Sequence, residues 1–290
     1  MKNLLRITLF TALAFILTSC QLQTKSGKGF KFADYENEAT EQQAEIGSEA
    51  ELKSDLASDS LLIQEITNKH TPSQILVRKG YVASYNKDTR CPNWVAWHLT
   101  AEHADGIVKR PRNAFHADED VPEPRAEWYD YKRTGWARGH ICPAGDNKWD
   151  EEAMRESFLM TNIVPQNQNL NDGDWAEIEK KCRKWAKEFG DIYIVGGPLP
   201  YEKPWETISD NKIVVPRAMF KVVLCLNGDK PKAIGFVYKN IAQNNPKSHY
   251  ANTLKEVERL SGIKFFPTLP KKVRKEIDNS YNLSDWGIKD

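Results

Sequence analysis

The chain carries the segment TGWARGHICPAGD at residues 134–146 and the segment TNIVPQNQNLNDGDWAEIEKKCR at residues 161–183. In the first segment His140 directly follows an arginine and a glycine, and glycine permits a close approach of the backbone. The second segment runs into a stretch whose apolar residues have helical spacing. These two segments determine how the rest of the chain is interpreted.

The second segment predicts a helix, residues 172–189, with an amide, a carboxylate and a guanidinium on one side. At about 100° per residue, the apolar residues form one stripe, which comprises Trp175, Ile178, Cys182, Trp185 and Phe189. Asn171 stands at the expected N-terminal end, where asparagine is favoured as an N-cap. Glu179 and Arg183 lie on the shoulder of the stripe. A simple cap and an i,i+4 ion pair between Glu179 and Arg183 would explain the same pattern.

The histidine can act as a base near neutral pH. An imidazole has a reference pKa of about 6.5 and accepts a proton readily above that value. Hydrolysis of a phosphodiester needs a base that activates water, a Lewis acid and cations that meet the developing charge. The two segments offer a base in His140, an amide ligand for a hard metal ion in Asn171, and arginines.

These segments resemble the signature of the DNA/RNA non-specific endonucleases of the ββα-metal type, a family that includes secreted bacterial nucleases and mitochondrial endonuclease G. The family pattern is Asp-Arg-Gly-His, followed by Asn-x-x-Pro-Gln-x-x-x-Leu-Asn and a helix with Trp, Glu and Arg. The matching residues are Arg138, Gly139, His140, Asn162, Pro165, Gln166, Leu170, Asn171, Trp175, Glu179 and Arg183. The similarity covers roughly residues 75–270. It implies an α+β, ββα-metal nuclease fold with a central antiparallel sheet flanked by helices.

The resemblance also implies a role for each matching residue and hydrolysis of DNA and RNA as the activity. His140 would be the general base, and Asn171 the one direct protein ligand of a divalent cation, Mg²⁺ with Mn²⁺ as a substitute. Glu179 would hold metal-bound waters. The other implied residues would bind phosphate or support the site: Arg138, Arg183 and one of Arg110 and Arg112 for phosphate, and Asn162 for support.

Ala137 departs from the family pattern, because it stands where the signature has Asp. The change removes a negative group near the metal, so we expect weaker metal affinity or a higher Mg²⁺ requirement. Asp146, a few residues away, is a candidate replacement. An alternative interpretation is a catalytically weak or inactive relative that binds nucleic acid at the cell envelope, and a third is a structural envelope protein. Binding of nucleic acid with a steep salt dependence would separate the last two.

The N-terminal region predicts export. A short positive segment precedes an apolar run at residues 9–17, which is too short for a confident transmembrane helix. The sequence LTSC at residues 17–20 resembles a bacterial lipobox, which implies a lipoprotein signal peptide over residues 1–19 and a membrane anchor through lipid on Cys20. The protein would then sit on the periplasmic or extracellular face of the envelope. An ordinary signal peptide with an incidental Cys20 would also export the chain.

Charge and composition divide the mature chain into two parts. Residues 20–70 are interpreted as the lipidated cysteine and a flexible acidic tether, and residues 71–290 as the endonuclease domain. Residues 21–60 hold four lysines and nine acidic residues, with little hydrophobic periodicity. The whole chain has a formal charge of +1, whereas residues 61–290 hold 35 basic and 31 acidic residues. This balance excludes a strongly polybasic protein, and a mildly basic domain suits an anionic ligand.

The remainder of the chain predicts strands mixed with a few helices. Strands are expected at 75–77, 81–85, 94–99, 192–195, 213–215, 220–226 and 233–238, and a second helix at 250–260. Because strands and helices do not alternate regularly, the pattern favours an α+β fold over a doubly wound sheet.

Four cysteines follow Cys20, at positions 91, 142, 182 and 225. None belongs to a CxxC pair, which argues against a zinc knuckle. An exported protein could oxidise them into up to two disulfides. The sequence allows three complete pairings, or free thiols, and does not choose among them.

Overall fold

A computed structural model of the protein describes residues 60–200 and 203–289. The expected signal peptide, Cys20 and most of the expected tether lie outside the described residues. In the part of the chain that is described, no helix has both the length and the apolar character needed to cross a membrane.

A seven-stranded antiparallel sheet forms the centre of the described structure, as the sequence predicts. In chain order the strands are β1 (Glu65–Ile66), β2 (Gln74–Val77), β3 (Val82–Asn86), β4 (Cys91–Thr100), β5 (Ala137–His140), β6 (Ile163–Gln166), β7 (Asp191–Pro198), β8 (Thr207–Ile208), β9 (Ile213–Val214), β10 (Ala218–Cys225), β11 (Lys232–Lys239), β12 (Ala251–Asn252) and β13 (Ile263–Lys264). The order across the large sheet is β12-β11-β10-β7-β4-β3-β2. The strands β5 and β6, which the sequence analysis did not predict, form a separate ribbon.

Helices pack on both faces of this sheet. In chain order they are α1 (Glu151–Glu156), α2 (Gln168–Leu170), α3 (Ala176–Phe189), α4 (Lys247–Tyr250), α5 (Leu254–Ser261) and α6 (Lys271–Ile277), and a π-helical turn, Asn171–Trp175, joins α2 to α3. The helix predicted at 250–260 is therefore wrong in its extent, because β12 interrupts it and Thr253 caps the start of α5. Gly262 forms the C-cap of α5, with a left-handed φ of 68°.

The sheet separates two hydrophobic cores. Along β10, Met219 and Val223 belong to the core on the α3 face, whereas Phe220 and Val222 belong to the core on the α5 and α6 face. Alternate side chains of a strand point to opposite faces of a sheet. Lys221 therefore points into the α3 core, where its side chain is fully buried.

The first described residues belong to the folded unit. Leu61 and Leu62 are buried in the second core, and β1 pairs with β13 so that Ile66 lies opposite Ile263. Residues 60–66, which the sequence analysis assigns to the tether, thus pack against the domain because their apolar side chains complete that core.

The four cysteines of the described chain are buried, and Cys142, Cys182 and Cys225 are free thiols. Burial raises the pKa of the Cys142 and Cys225 thiols and raises the pKa of Cys182 to about 12. Thiols in apolar surroundings stay protonated and unreactive. Of the alternatives left open by the sequence, the structure has free thiols that serve as core residues.

Candidate active site

The ribbon of β5 and β6 brings the two sequence segments together. The strands are antiparallel, and their register places Ala137 opposite Gln166 and His140 opposite Ile163. A single residue, Asn167, separates the end of β6 from the start of α2. The helical segment that carries Asn171 and Glu179 therefore starts beside Ala137, the first residue of the strand that ends in His140.

Position 139 requires a glycine because Gln166, across the ribbon, leaves no space for a Cβ atom. A Cβ atom at position 139 would lie 2.1 Å from Gln166 Oε1 and 2.6 Å from Gln166 Cβ. Because Gln166 is fully buried, its side chain has no room to move aside. The glycine and the glutamine of the sequence pattern thus form one packing unit next to His140.

The His140 ring lies in a half-buried position between two phenylalanines. Its centroid is 4.9 Å from that of Phe158, edge-on, and 5.3 Å from that of Phe115. The Nε2 atom is buried and has no hydrogen-bond partner among the described residues. The backbone carbonyl of His140 accepts a hydrogen bond from the Trp175 indole, with an N–O distance of 3.0 Å. The histidine is thus fixed by packing and by its backbone.

Two arginines stand beside His140 on the same aromatic surface. Arg138 Cζ is 4.3 Å from the Phe115 centroid, and Arg110 Cζ is 4.7 Å from the Phe158 centroid. Within the described ranges no ion pair joins either guanidinium to a carboxylate. Burial, followed by these two charges, lowers the pKa of His140 to about 3. The ring is therefore neutral, and the two unpaired cations suit a phosphate group.

Of the two arginines that the sequence left as alternatives, Arg110 reaches the site. Arg110 Cζ and Arg138 Cζ lie 5.2 Å and 4.3 Å from the centroid of the same Phe115 ring, so the two guanidiniums are neighbours. Arg112 is exposed and makes none of the described contacts with His140 or its aromatic neighbours. The structure thus brings Arg110, and not Arg112, to the histidine.

Asn162 supports the backbone that follows the histidine. Its Nδ2 donates to the carbonyl oxygens of Cys142 and Ser157, both at 2.8 Å, and its Oδ1 accepts from the Cys142 backbone N at 2.9 Å. The side chain is fully buried, so these backbone contacts account for its hydrogen-bonding groups. This placement agrees with a supporting role and leaves Asn162 out of reach of a substrate.

Asn167, and not Asn171, is the N-cap of the helix. The Asn167 Oδ1 accepts from the backbone N of Asn169 at 3.0 Å and of Leu170 at 3.3 Å. The N-cap predicted at Asn171 is therefore wrong by four residues. Asn171 instead begins the π-helical turn, where Gly173 has a non-helical backbone with φ −100° and ψ −113°.

The oxygen of the Asn171 side chain is available for a ligand. The amide nitrogen donates to Asp172 Oδ1 at 3.0 Å, and no hydrogen bond to the amide oxygen is present in the described structure. Asn171 is half-buried, so its side chain is partly open to solvent.

Glu179 is a half-buried carboxylate on α3 with an unusual protonation equilibrium. Burial raises the pKa of Glu179 to about 7, and the charge of Lys221 limits the rise. The carboxylate therefore changes its charge near neutral pH. Perturbed groups of this kind are frequent in functional sites.

Arg183 is bound to Asp146 and does not form the i,i+4 pair with Glu179. Its Nη1 lies 2.7 Å from Asp146 Oδ1, and the other oxygen of Asp146 accepts from the Trp97 indole at 3.0 Å. A Cβ atom at Gly145 would lie 2.8 Å from the same Nη1, so the loop packs directly on the guanidinium. Arg183 thus holds the loop after β5, and Asp146 is already occupied by two donors.

Asn171 and Glu179 provide the kind of oxygen atoms that Mg²⁺ prefers. Among residues 60–200 and 203–289, no three His, Cys, Asp or Glu side chains cluster as in an all-protein metal site. An ion held by one amide oxygen and by water needs no such cluster. The uncommitted oxygen of Asn171 and the carboxylate of Glu179 have the chemistry that suits a largely hydrated divalent cation.

The aromatic surface against which His140 packs was not predicted from the sequence. Phe115 and Phe158 contact His140 and the arginines from two irregular or helix-flanking segments. Apolar residues in such segments have no periodicity, so the sequence offers no signal that would group them with the histidine.

The site consists of two antiparallel strands followed directly by a helix, with a histidine at the end of the first strand and an amide on the helix. This arrangement defines the ββα-metal nuclease class. Comparison with known sequences identifies the family. The sequence model described as DNA/RNA non-specific endonuclease matches residues 60–272. The chain belongs to that family, as its motifs predict.

Individual relatives support this membership. The chain is 36% identical over 209 residues to the mitochondrial nuclease EXOG of Danio rerio, covering 66% of this chain and 60% of the relative. It is 34% identical over 229 residues to nuclease C1 of Cunninghamella echinulata var. echinulata, covering 73% and 89%. A crystal structure of EndoG in complex with its inhibitor EndoGI has a TM-score of 0.64 and 30% identity, covering 71% of this chain and 92% of that chain. The chain thus spans about three fifths of the length of the EXOG relatives.

Proposed function

We propose that the protein is a metal-dependent endonuclease that hydrolyses the phosphodiester bonds of DNA and RNA. The observation that carries the proposal is the neutral His140 beside two arginines that have no acidic partner in the described structure. A base next to an uncompensated pair of guanidiniums is the arrangement that hydrolysis of an anionic ester requires. Family membership and the nuclease names of the relatives support the same activity.

In the proposed reaction, His140 accepts a proton from the attacking water at a ring nitrogen. Arg110 and Arg138 bind the phosphate and meet the negative charge that grows on its oxygens. The neutral state of the ring makes the proton acceptor available without prior deprotonation. Contacts to phosphate carry little sequence information, so low sequence preference is expected.

Asn171 would hold the divalent cation through its side-chain oxygen, and Glu179 would orient the water molecules around it. We propose Mg²⁺ as the ion, with Mn²⁺ as a substitute. When bound, the ion supplies positive charge for the phosphate and for the leaving 3′ oxygen.

We propose further that the protein is exported and anchored to the cell envelope through lipid on Cys20. The support is the lipobox-like sequence at residues 17–20. Labelling of cells with radioactive palmitate tests it, with incorporation expected in the natural protein and absent from Cys20→Ser. Labelling of both proteins, or of neither, would contradict the lipid anchor.

A second candidate function is an inactive or weakly active protein that binds nucleic acid at the envelope. Ala137 favours it, because the signature has Asp there. The side-chain amide of Gln166, opposite Ala137, is buried with no hydrogen-bond partner in the described part of the chain. A carboxylate at 137 would face this amide.

A cleavage assay distinguishes the two functions. Purified residues 21–290 are incubated with plasmid DNA and with RNA, in Mg²⁺ and in EDTA. We expect cleavage of both substrates in Mg²⁺ and none in EDTA. The absence of cleavage over a wide range of Mg²⁺ and Mn²⁺ concentrations, together with salt-dependent binding, would favour the inactive binder.

The pH dependence of the reaction is expected to follow Glu179. Because the pKa of Glu179 is about 7, the carboxylate takes up a proton as the pH falls below 7 and loses the charge that holds metal-bound water. His140 stays neutral down to about pH 3, so the histidine does not cause this loss. We expect the rate at limiting Mg²⁺ to fall with pH below 7, and the rate of Glu179→Gln to be about 10–100-fold lower and nearly independent of pH. Glu177→Gln, on the exposed side of the same helix, should keep the natural profile; an unchanged acid limb in Glu179→Gln would contradict the prediction.

Restoring the carboxylate at position 137 is expected to strengthen metal binding. In Ala137→Asp the new side chain adds negative charge beside the ribbon and faces the unpartnered amide of Gln166. We expect the Mg²⁺ concentration for half-maximal rate to fall several-fold. Ala137→Asn, of similar size and without charge, is the matched control. An equal Mg²⁺ requirement in the natural protein and in Ala137→Asp would show that Ala137 does not weaken the metal site.

A further inference from the structure

The most unusual group outside the proposed catalytic set is the side chain of Lys221. It lies in the middle of β10, between Met219 and Val223 on the same face, and its side chain is fully buried. A buried ammonium is costly unless other groups compensate it. In the described structure no carboxylate lies within ion-pair distance of its nitrogen.

Three neutral groups contact the ammonium, and the charges of Glu179 and Asp146 act on it from a longer distance. Lys221 Nζ donates to the backbone carbonyl of Ile141 at 3.2 Å. It also lies 4.7 Å from the ring centroid of Trp97 and 4.5 Å from that of Trp175, which are cation–π distances.

Each of the three contacting groups belongs to residues 140–146 or donates a hydrogen bond to one of them. The carbonyl belongs to Ile141, the residue that follows the histidine. The Trp175 indole donates to the carbonyl of His140 itself, at 3.0 Å, and the Trp97 indole donates to Asp146. Two consecutive carbonyls on the C-terminal side of the histidine are therefore held by buried donors, one of them Lys221.

A glycine in the neighbouring strand leaves space for this contact. Gly196 of β7 lies directly opposite Lys221. A Cβ atom at that glycine would be 2.9 Å from the Ile141 side chain and 3.9 Å from Lys221 Nζ. A larger residue would push the Ile141 segment off the sheet and away from the lysine.

We propose that Lys221 is a positioning residue: its buried ammonium, through the Ile141 carbonyl and the Trp175 ring, holds the backbone that sets the place of His140. Lys221 does not reach the surface and so does not contact a substrate. The proposal rests on the proposed nuclease function, because its effect is measured in the rate of hydrolysis.

The test compares Lys221→Met with Lys232→Met. The Lys232 ammonium is also held by a backbone carbonyl, that of Asp285 at 2.8 Å, and by two aromatic rings, those of Phe189 and Trp286, but it lies at the far end of α3. We expect Lys221→Met to lower kcat at least tenfold, with KM for DNA and the Mg²⁺ concentration for half-maximal rate both within threefold of the natural values. Lys232→Met should leave kcat within twofold.

Lys221→Gln provides a second test that does not depend on the folding of Lys221→Met. Its neutral amide is cheaper to bury than an ammonium and too short to reach the Ile141 carbonyl, so it should fold and show the same loss of kcat. A folded Lys221→Gln with natural kcat would overturn the proposal. So would a loss that saturating Mg²⁺ or alkaline pH restores, since Lys221 would then act on the metal site or on the charge of Glu179. An inactive natural protein would contradict the proposed function. An active natural protein whose folded Lys221 variants keep the natural kcat would contradict the positioning role alone.

Discussion

His140→Ala is expected to lower kcat by about 10²–10⁴-fold, the range that a general base contributes. The substitution removes the proton acceptor and leaves Arg110, Arg138 and Asn171 in place, so binding of DNA should change little. Single-turnover rates with excess protein, together with DNA-binding curves in EDTA, measure the two quantities separately.

The control for this variant is His249→Ala. His249 is exposed and packs on Tyr250, so its loss should leave kcat within twofold. Because the His140 ring fills space between Phe115 and Phe158, the thermal stability of His140→Ala must be measured as well. Natural kcat in a folded His140→Ala would place the base elsewhere and refute the site.

Asn171→Ala is expected to have the second-largest effect. It removes the one side-chain oxygen proposed to bind the cation, and we expect a loss of more than about 100-fold in rate at fixed Mg²⁺, beyond what loss of an outer-shell partner costs. The Mg²⁺ concentration for half-maximal rate should rise, because the remaining contacts are made through water. Titration of the rate with Mg²⁺ and with Mn²⁺ measures both effects.

Asn169→Ala is the matched control, since Asn169 is exposed and lies in α2, two residues before Asn171. Its metal titration should coincide with that of the natural protein. If Asn171→Ala lowers the rate without moving the metal titration, Asn171 acts on the substrate and not on the cation.

The periodic parts of the fold were predictable from the sequence. Six of the seven strands of the large sheet were expected near their observed positions, the exception being β12. The apolar stripe of the predicted helix repeats with a helical period, and Trp175, Ile178, Cys182 and Trp185 are all buried. A periodic pattern shows which face of a strand or helix is buried, and it can be recognised without knowing which residues cover that face. The family signature then connected His140 with the helix.

The contacts between segments were not predictable in the same way. Two asparagines, Asn167 and Asn171, are equally good caps by residue type, and only the backbone determines which one bonds to the free amides. Arg183 is four residues from Glu179, yet it pairs with Asp146, which is 37 positions away in the chain. Lys221 interrupts the apolar pattern of its strand, and the partners of its ammonium come from three other parts of the chain. Each of these outcomes depends on tertiary packing that local propensity does not describe.

The π-helical turn at Asn171–Trp175 makes the site sensitive to the number of residues in the helix as well as to their identity. The backbone is kinked at Gly173, so the turn joins two helical segments, with Asn171 at its start and Glu179 beyond it on α3. The length of this turn therefore sets the orientation of the amide relative to the carboxylate. Insertion or deletion of one residue here would rotate one group relative to the other while α3 kept its own hydrogen bonds. Divergence within such a fold can thus change how a cation is held by altering chain length alone, with every functional side chain retained.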